Sequence, residues 1–429
     1  MIGRRVLVGL ARGWPCRRAR APKGVVVGMW ARFSAGEMAR RWALARSLME
    51  AHGLGALLVF GNSGVNRHNQ ANVFWLTNHL DLHHSYLVAP LDPGIEPALY
   101  VGLANHVPNA RQTCALPLIE WGGYRPADTV AARLRATGLG RGRVGLVGVN
   151  ATFGMGMPWQ HRHDLQAALP TLELVEVTAA FAALRSVKSE EEWVWLRRAA
   201  AFTDQAVLAL QAHARPGLPE YALLGSIEAA YRADGGLPHI AFLRSMPMDD
   251  PNGCVPAQNP SDRRLRRGDV IITEISASFW GYSGQIHRPV FVGAEPTPAW
   301  QHLFDTALEA YRRITESLRP GATEADVIQA AAVIGERGYS IYDDLMHGYG
   351  VDIHPPVIDR SCARWWPWDE NRRAPAGRRF ERDMAVVVQP NPITSNERMG
   401  LQLGALTRVT DAGAECPHTV PFEPLIAPG

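Results

Sequence analysis

Cysteine is scarce in this chain and poorly spaced for pairing: Cys16, Cys114, Cys254, Cys362 and Cys416 are the only five in 429 residues. An odd, scattered set argues against a disulfide framework, fits a reducing, cytoplasmic compartment, and offers no Cys-X-X-Cys spacing for zinc or redox work. Long apolar runs are also missing, and none approaches the roughly 20 residues a bilayer-spanning helix needs. Net charge is almost absent, +3 from 44 basic and 41 acidic residues. Arg4, Arg5, Arg12, Arg17, Arg18, Arg20 and Lys23 crowd the start, so the rest is near neutral and lacks the footprint of a nucleic-acid surface. The longest apolar run of that basic leader, Val6 to Leu10, is too short for a secretory signal. Residues 1–28 are therefore expected to be a disordered leader or a start placed upstream of Met29.

What is present is ordinary globular composition, 47% apolar and 20% charged, with length for two or three domains. From Ser34 the pattern settles into a helix with Glu37 three residues on, the spacing of a capping box. Short β-rich runs follow at 56–60, 72–77, 85–90, 97–102, 143–149 and 172–177, with helical stretches at 127–136 and 160–168. This predicts a mixed-sheet α/β domain over 29–182. Near Ala183 the character changes, and Ser189 with Glu192 caps a long helix ending at Ala214-Arg215-Pro216-Gly217.

The second part, 183–429, repeats itself. Arg215-Pro216-Gly217 opens one helix and Arg319-Pro320-Gly321 opens another 104 residues later; each unit then runs into a strand pair introduced by a basic turn. A duplicated α/β unit places a seam between two halves. Residues 268–293 of the first half read as a β-hairpin with Gln285 and His287 on one face and Glu274 inside an apolar strand. His347, His354 and Gln389 lie in the second half, with Asp352 between the two histidines. One polar pocket at the seam is expected, with Arg288 and Tyr282 beside it and Trp280, Trp365 and Trp366 as aromatic walls.

These stretches, from EMARRWALARSLMEAHGLGALLVFG through LRSVKSEEEWVWLRRAA, PSDRRLRRGDVI, GYSGQIHRP and HGYGVDIH to VTDAGAE, resemble the pita-bread superfamily of creatinase, methionine aminopeptidase and Xaa-Pro peptidases. The resemblance covers about residues 29–420 and implies a creatinase-like mixed-sheet domain followed by a pseudo-symmetric pita-bread domain, α/β overall. Its peptidases hold two divalent cations on two Asp, one His and two Glu, which fall here on Glu274, Gln285, His347, Gln389 and Gly404. The catalytic histidine of creatinase falls on Ala257 or, with one gap, Gln258. So depleted a set leads to the expectation of no metal cofactor, with one cation on Glu274, His287 and His347 as the lesser alternative.

The function expected is then a metal-independent, creatinase-like hydrolase of a C–N bond in a small non-peptide substrate. Glu274 and His347 would share the proton work, His287 and His354 would orient or polarise, and Gln285, Gln389, Arg288, Tyr282 and Asp352 would bind substrate. By the same resemblance the chain is a cytoplasmic homodimer, with His83 and His84 reaching toward the neighbouring subunit's pocket. The alternatives are an Xaa-Pro aminopeptidase or dipeptidase using metals, a lyase or isomerase on the same scaffold, and a binding module without catalysis.

Overall fold

The computed structural model describes residues 30–62, 70–149, 156–362 and 377–429. In its first lobe α1 (Ala35–His52), β1 (Ala56–Gly61), α2 (Ala71–Thr77), β2 (Ser85–Pro90), β3 (Ala98–Val101) and α3 (Val107–Thr113) come first. They are followed by β4 (Leu118–Trp121), α4 (Pro126–Ala136), β5 (Gly142–Val147), α5 (Trp159–Ala168), β6 (Leu172–Glu176) and α6 (Thr178–Ser186). The six strands form one sheet in the order β4-β3-β2-β1-β5-β6. Strand β1 runs antiparallel to β2 and parallel to β5, so the sheet is mixed. Every residue of β1 and β2 is buried, as expected of central strands covered on both faces.

Residues 72–77, expected to be a strand, are instead the helix α2. Its residues Val73, Phe74, Trp75 and Leu76 are all buried, and Asn78 ends it in the left-handed conformation. A short run buried on every side has no period to distinguish the two structures, and tertiary packing decided. The cap before α1 also differs from expectation. Ser34 Oγ accepts from Glu37 N, but the Glu37 carboxylate turns to Arg40 and Arg41 instead of closing the box.

The second lobe begins with α7 (Glu190–His213), α8 (Glu220–Arg232), β7 (Leu237–Pro247), β8 (Asp269–Phe279), β9 (Tyr282–His287) and β10 (Val290–Val292). Then come α9 (Pro298–Ser317), α10 (Glu324–Ala330), α11 (Val333–Glu336), β11 (Ser340–Ile341), β12 (Met346–Gly348) and β13 (His354–Ile358). The chain finishes with β14 (Ala385–Val388), β15 (Pro392–Ile393), β16 (Gly404–Thr410), β17 (Gly413–Glu415) and β18 (Leu425–Ala427). A ten-stranded sheet carries β13-β12-β14-β16-β9-β8-β10-β18 in order, with β7 on β8 and β17 on β16. The junction of β16 with β9 joins the halves. Their equivalence is visible in Gly217 and Gly321, which open the repeated turns at φ 87° and 91°, a region only glycine enters freely. Strands β8 and β9 meet through Trp280 and Gly281, both at positive φ, the two-residue turn that matches strand twist.

A buried clasp ties the lobes. Arg41, fully buried, reaches Glu37 Oε1 at 2.6 Å and Glu192 Oε1 at 3.4 Å. The Tyr282 hydroxyl donates to the same Glu192 oxygen at 2.6 Å, and Phe33 stacks on Trp195 with ring centroids 4.0 Å apart. Among the described residues, no helix is long and apolar enough to cross a membrane.

Candidate functional site

The hairpin delivers the first three polar side chains. Glu274 lies on β8 opposite Phe242 of β7, and Gln285 on β9 opposite Ser276. His287, two residues on and therefore on the same face, pairs with Gly404 of β16. From the other half His347 sits in β12 opposite Val387, and Gln389 follows β14. Asn391 shapes the turn ahead of β12 by accepting from Tyr342 N and Asp343 N and donating to Asp344 O.

These groups form one ladder. Gln285 Nε2 donates to Glu274 Oε1 at 3.0 Å and to Gln389 Oε1 at 3.3 Å, and lies 3.3 Å from His287 Nε2. Gln389 Nε2 in turn donates to Asp344 Oδ1 at 2.8 Å, and Gln402 Nε2 to Asp343 Oδ2 at 2.9 Å. Beside it, Tyr349 OH meets His239 Nδ1 at 2.8 Å and Ser276 Oγ at 2.9 Å, with its ring 5.3 Å from that of His347. His347 Nδ1 lies 3.2 Å from the Gly348 carbonyl, which can only accept, so Nδ1 carries a proton there.

Burial without counter-charge dominates the electrostatics. Among the described residues no lysine or arginine pairs with Glu274, Asp343 or Asp344. Desolvation, then the Asp343 charge, pushes the Glu274 carboxyl up to about 8. Asp343 and Asp344 are raised too, chiefly by burial. Burial, aided by His347 and Arg288, holds His287 down to about 3, so its imidazole is neutral. A carboxyl that keeps its proton near neutrality beside a neutral imidazole has the makings of acid–base chemistry.

Other expected site residues lie elsewhere. Arg288 gives its guanidinium to the carbonyls of Pro421, His287, Gly404 and Val420 and stacks on Phe422, a backbone clamp that reaches no pocket side chain. Tyr282 belongs to the clasp between the lobes. Asp352 is held by both nitrogens of the Arg185 fork at 2.7 and 2.9 Å. His354 lies behind the pocket, with Nδ1 on Pro355 O at 2.8 Å and Nε2 3.2 Å from the buried Lys188 ammonium. His83 and His84 neighbour His106, Tyr86 and His161 in the first lobe. Trp280 is at the hairpin tip, edge-on to Trp30; Trp365 and Trp366 lie outside the described residues. The pocket residues that sequence reasoning missed are His239, Ser276, Asp343, Asp344, Tyr349 and Gln402. Only the paired acids just before the apolar Leu345-Met346 carried a readable signal.

Comparison with known proteins reaches both lobes. Residues 195–411 match the model of metallopeptidase family M24, and residues 41–187 that of the creatinase/prolidase N-terminal domain. The Xaa-Pro dipeptidase of Pyrococcus horikoshii is 26% identical over 201 residues, 46% of this chain and 56% of that protein, so the match spans little over half of that relative. The Xaa-Pro dipeptidase of Pyrococcus furiosus is 25% identical over 287 residues, covering 66% of this chain and 76% of that one. The dipeptidase PepE structure from Mycobacterium ulcerans superimposes with a TM-score of 0.73 at 24% identity, over 93% of this chain and all of the other, and supports the two-lobed fold.

These matches overturn two expectations. A metal-independent hydrolase of a non-peptide substrate does not agree with a metallopeptidase family whose relatives are named dipeptidases, and neither does the absence of any metal cofactor. The coarser class, a hydrolase, stands. The family's cation pair nevertheless does not fit the residues present. Of its five positions this chain keeps a carboxylate at Glu274 and an imidazole at His347, with amides at Gln285 and Gln389. A Cβ built at Gly404 would press on Val388 O and sit 2.7 Å from Gln389 Cα, so that position has no room for a ligand side chain. Among the described residues no three His, Cys, Asp or Glu form a ready ion-holding group.

Proposed function

The chain belongs to metallopeptidase family M24, and from that premise we propose that it hydrolyses the amide bond of a short peptide, with Xaa-Pro dipeptides as the substrate class. The observation that carries the reading is the family match over 195–411, which contains every residue of the pocket. Sparse cysteines support a cytoplasmic setting, and the creatinase-like resemblance supports a homodimer.

In this reading His347 takes the proton of the attacking water. The Glu274–Asp343 pair, whose charges interact, holds one proton near neutral pH and delivers it to the leaving nitrogen as the C–N bond breaks. Gln285 and Gln389 orient the substrate by hydrogen bonds, and His354 positions the Tyr349 segment through its backbone. No step is assigned to the cation pair, which the donor set does not fit.

Proline release from a panel of Xaa-Pro dipeptides, with Mn²⁺, Co²⁺ or Zn²⁺ supplied in turn, tests the proposal. Turnover is expected, and His347→Ala should lower it by roughly 10²- to 10⁴-fold, the span of one general acid–base group. No release from any Xaa-Pro peptide under any of these metals would reject the substrate class.

A further inference from the structure

A cavity of about 250 Å³ lies outside the seam, where the segment after α2 meets the tip of the β8–β9 hairpin. Trp30, Leu80, Leu82 and Trp280 give it apolar walls, while His79 and Asp81 supply a polar one. Among the described residues no lysine or arginine lines it. The two indoles meet edge-on with centroids 5.9 Å apart, and Trp280 holds φ at 48°, a region bulky side chains rarely enter.

The Asp81 carboxylate is used on one side only. Its Oδ1 accepts from Leu82 N at 2.6 Å, from His83 N at 3.2 Å and from His106 Nδ1 at 2.7 Å. Its Oδ2 has no hydrogen-bond partner, although the residue is only 3% exposed. That oxygen stands 3.8 Å from His79 Nε2, beyond hydrogen-bond reach, and the nitrogen is unpartnered too. Thr113 Oγ1 meets the other ring nitrogen of His79 at 2.7 Å, which fixes the imidazole. Burial alone would raise the Asp81 carboxyl, but the rings of His79 and His106 and the His83 and Leu82 amides hold it down to about 2. It is therefore an anion with one bare oxygen, a state buried polar groups rarely bear without a reason.

What such an oxygen lacks is a donor, and a positively charged donor gains twice here. It makes a charge-assisted hydrogen bond to the carboxylate, and the indoles attract its charge. A neutral hydroxyl would gain only the first, a quaternary ammonium only the second. We infer that this cavity binds a small primary amine in its protonated form, with an N–H on Asp81 Oδ2 and the apolar body against Trp30, Trp280 and the two leucines. A volume of about 250 Å³ has room for roughly eight atoms of water size, so the body is a single ring or a short chain. No residue of the seam pocket takes part, and the site stands apart from the peptidase reading.

Full-length protein at pH 7.5 is titrated by calorimetry with benzylamine, a primary amine on one ring. Benzyl alcohol and benzyltrimethylammonium serve as its uncharged and N–H-free counterparts. One benzylamine per chain is expected with a Kd of about 1 mM or below, and each counterpart should bind at least roughly fivefold more weakly. No saturable binding at about 20 mM overturns the inference and leaves the cavity to water, and so does a counterpart that binds as tightly as benzylamine. Asp81→Asn, close to the native side chain in shape, should weaken benzylamine by roughly tenfold or more, and Trp280→Leu by roughly threefold or more. Unchanged affinity in either folded variant would put the amine elsewhere and reject the site. If Asp81→Asn misfolds, the wild-type comparison of amine with alcohol and the Trp280→Leu titration decide. The dipeptide assay has no bearing on the result, since the two sites share no residue.

Discussion

Replacing Glu274 by glutamine tests whether the pocket lacks positive charge of its own. In metal-free protein the carboxyl ionises near 4.5 when the chain is unfolded and near 8 when it is folded, because burial and the Asp343 charge oppose the anion. Between those values the folded state holds the extra proton, so stability is complete below about pH 4.5 and declines as pH rises through 8. The gap corresponds to about 5 kcal/mol at saturation; Glu274 keeps partial access to water and shares its charge effects with Asp343, which lowers the expectation to about 3 kcal/mol. Glutamine is close to the protonated side chain in shape and still offers Gln285 an acceptor oxygen. Urea unfolding in EDTA at pH 4, 7 and 8.5 should therefore give nearly equal stabilities for wild type and Glu274→Gln at the lowest pH. At the highest, the variant should be the more stable. Two parallel pH profiles would show that Glu274 is already compensated and would refute the reasoning.

Arg41→Ala should cost about 2–3 kcal/mol, below the roughly 3–5 kcal/mol of a fully stranded buried ion, because Glu37 and Glu192 lose their buried cation but keep the more exposed Arg40; urea midpoints at pH 7 measure this. His354, lowered to about 3 chiefly by burial and then by Lys188, works on the acid side with the opposite sign. The unfolded chain takes up that proton first, so stability should fall by about 2 kcal/mol from this residue between pH 6.5 and 5. His354→Gln, which keeps an acceptor for Lys188, should flatten that limb, and a denaturation series over the same interval reads it directly.

The hairpin around Glu274 was legible because β-structure writes its faces into every second residue, so Gln285 and His287 could be assigned to one face before any coordinates. The 104-residue recurrence of Arg-Pro-Gly made the second half readable as well. Asp343, Asp344 and Gln402 escaped because they lie in irregular segments, where no periodicity links a residue to the face it will occupy. The helix at 71–77 was misread for a related reason: buried on all sides, it has no polar stripe. Arg288 and Tyr282 were placed correctly along the chain but given the wrong neighbours in space. Partners more than 100 residues away, Pro421 and Val420 for one and Arg41 for the other, engage them, and a local pattern cannot foresee such contacts. The cation chemistry entered through the family match, against a local donor set that pointed away from it.

The clasp of Arg41, Glu192 and Tyr282 also bears on how the protein can be dissected. A fragment beginning at residue 183 would retain Glu192 and Tyr282 but forfeit Arg40 and Arg41, taking both cations from that acid and baring the indole of Trp195 where Phe33 now covers it. Expressed by itself, the larger lobe should clump in the cell and partition into inclusion bodies, while the intact polypeptide melts in a single cooperative step.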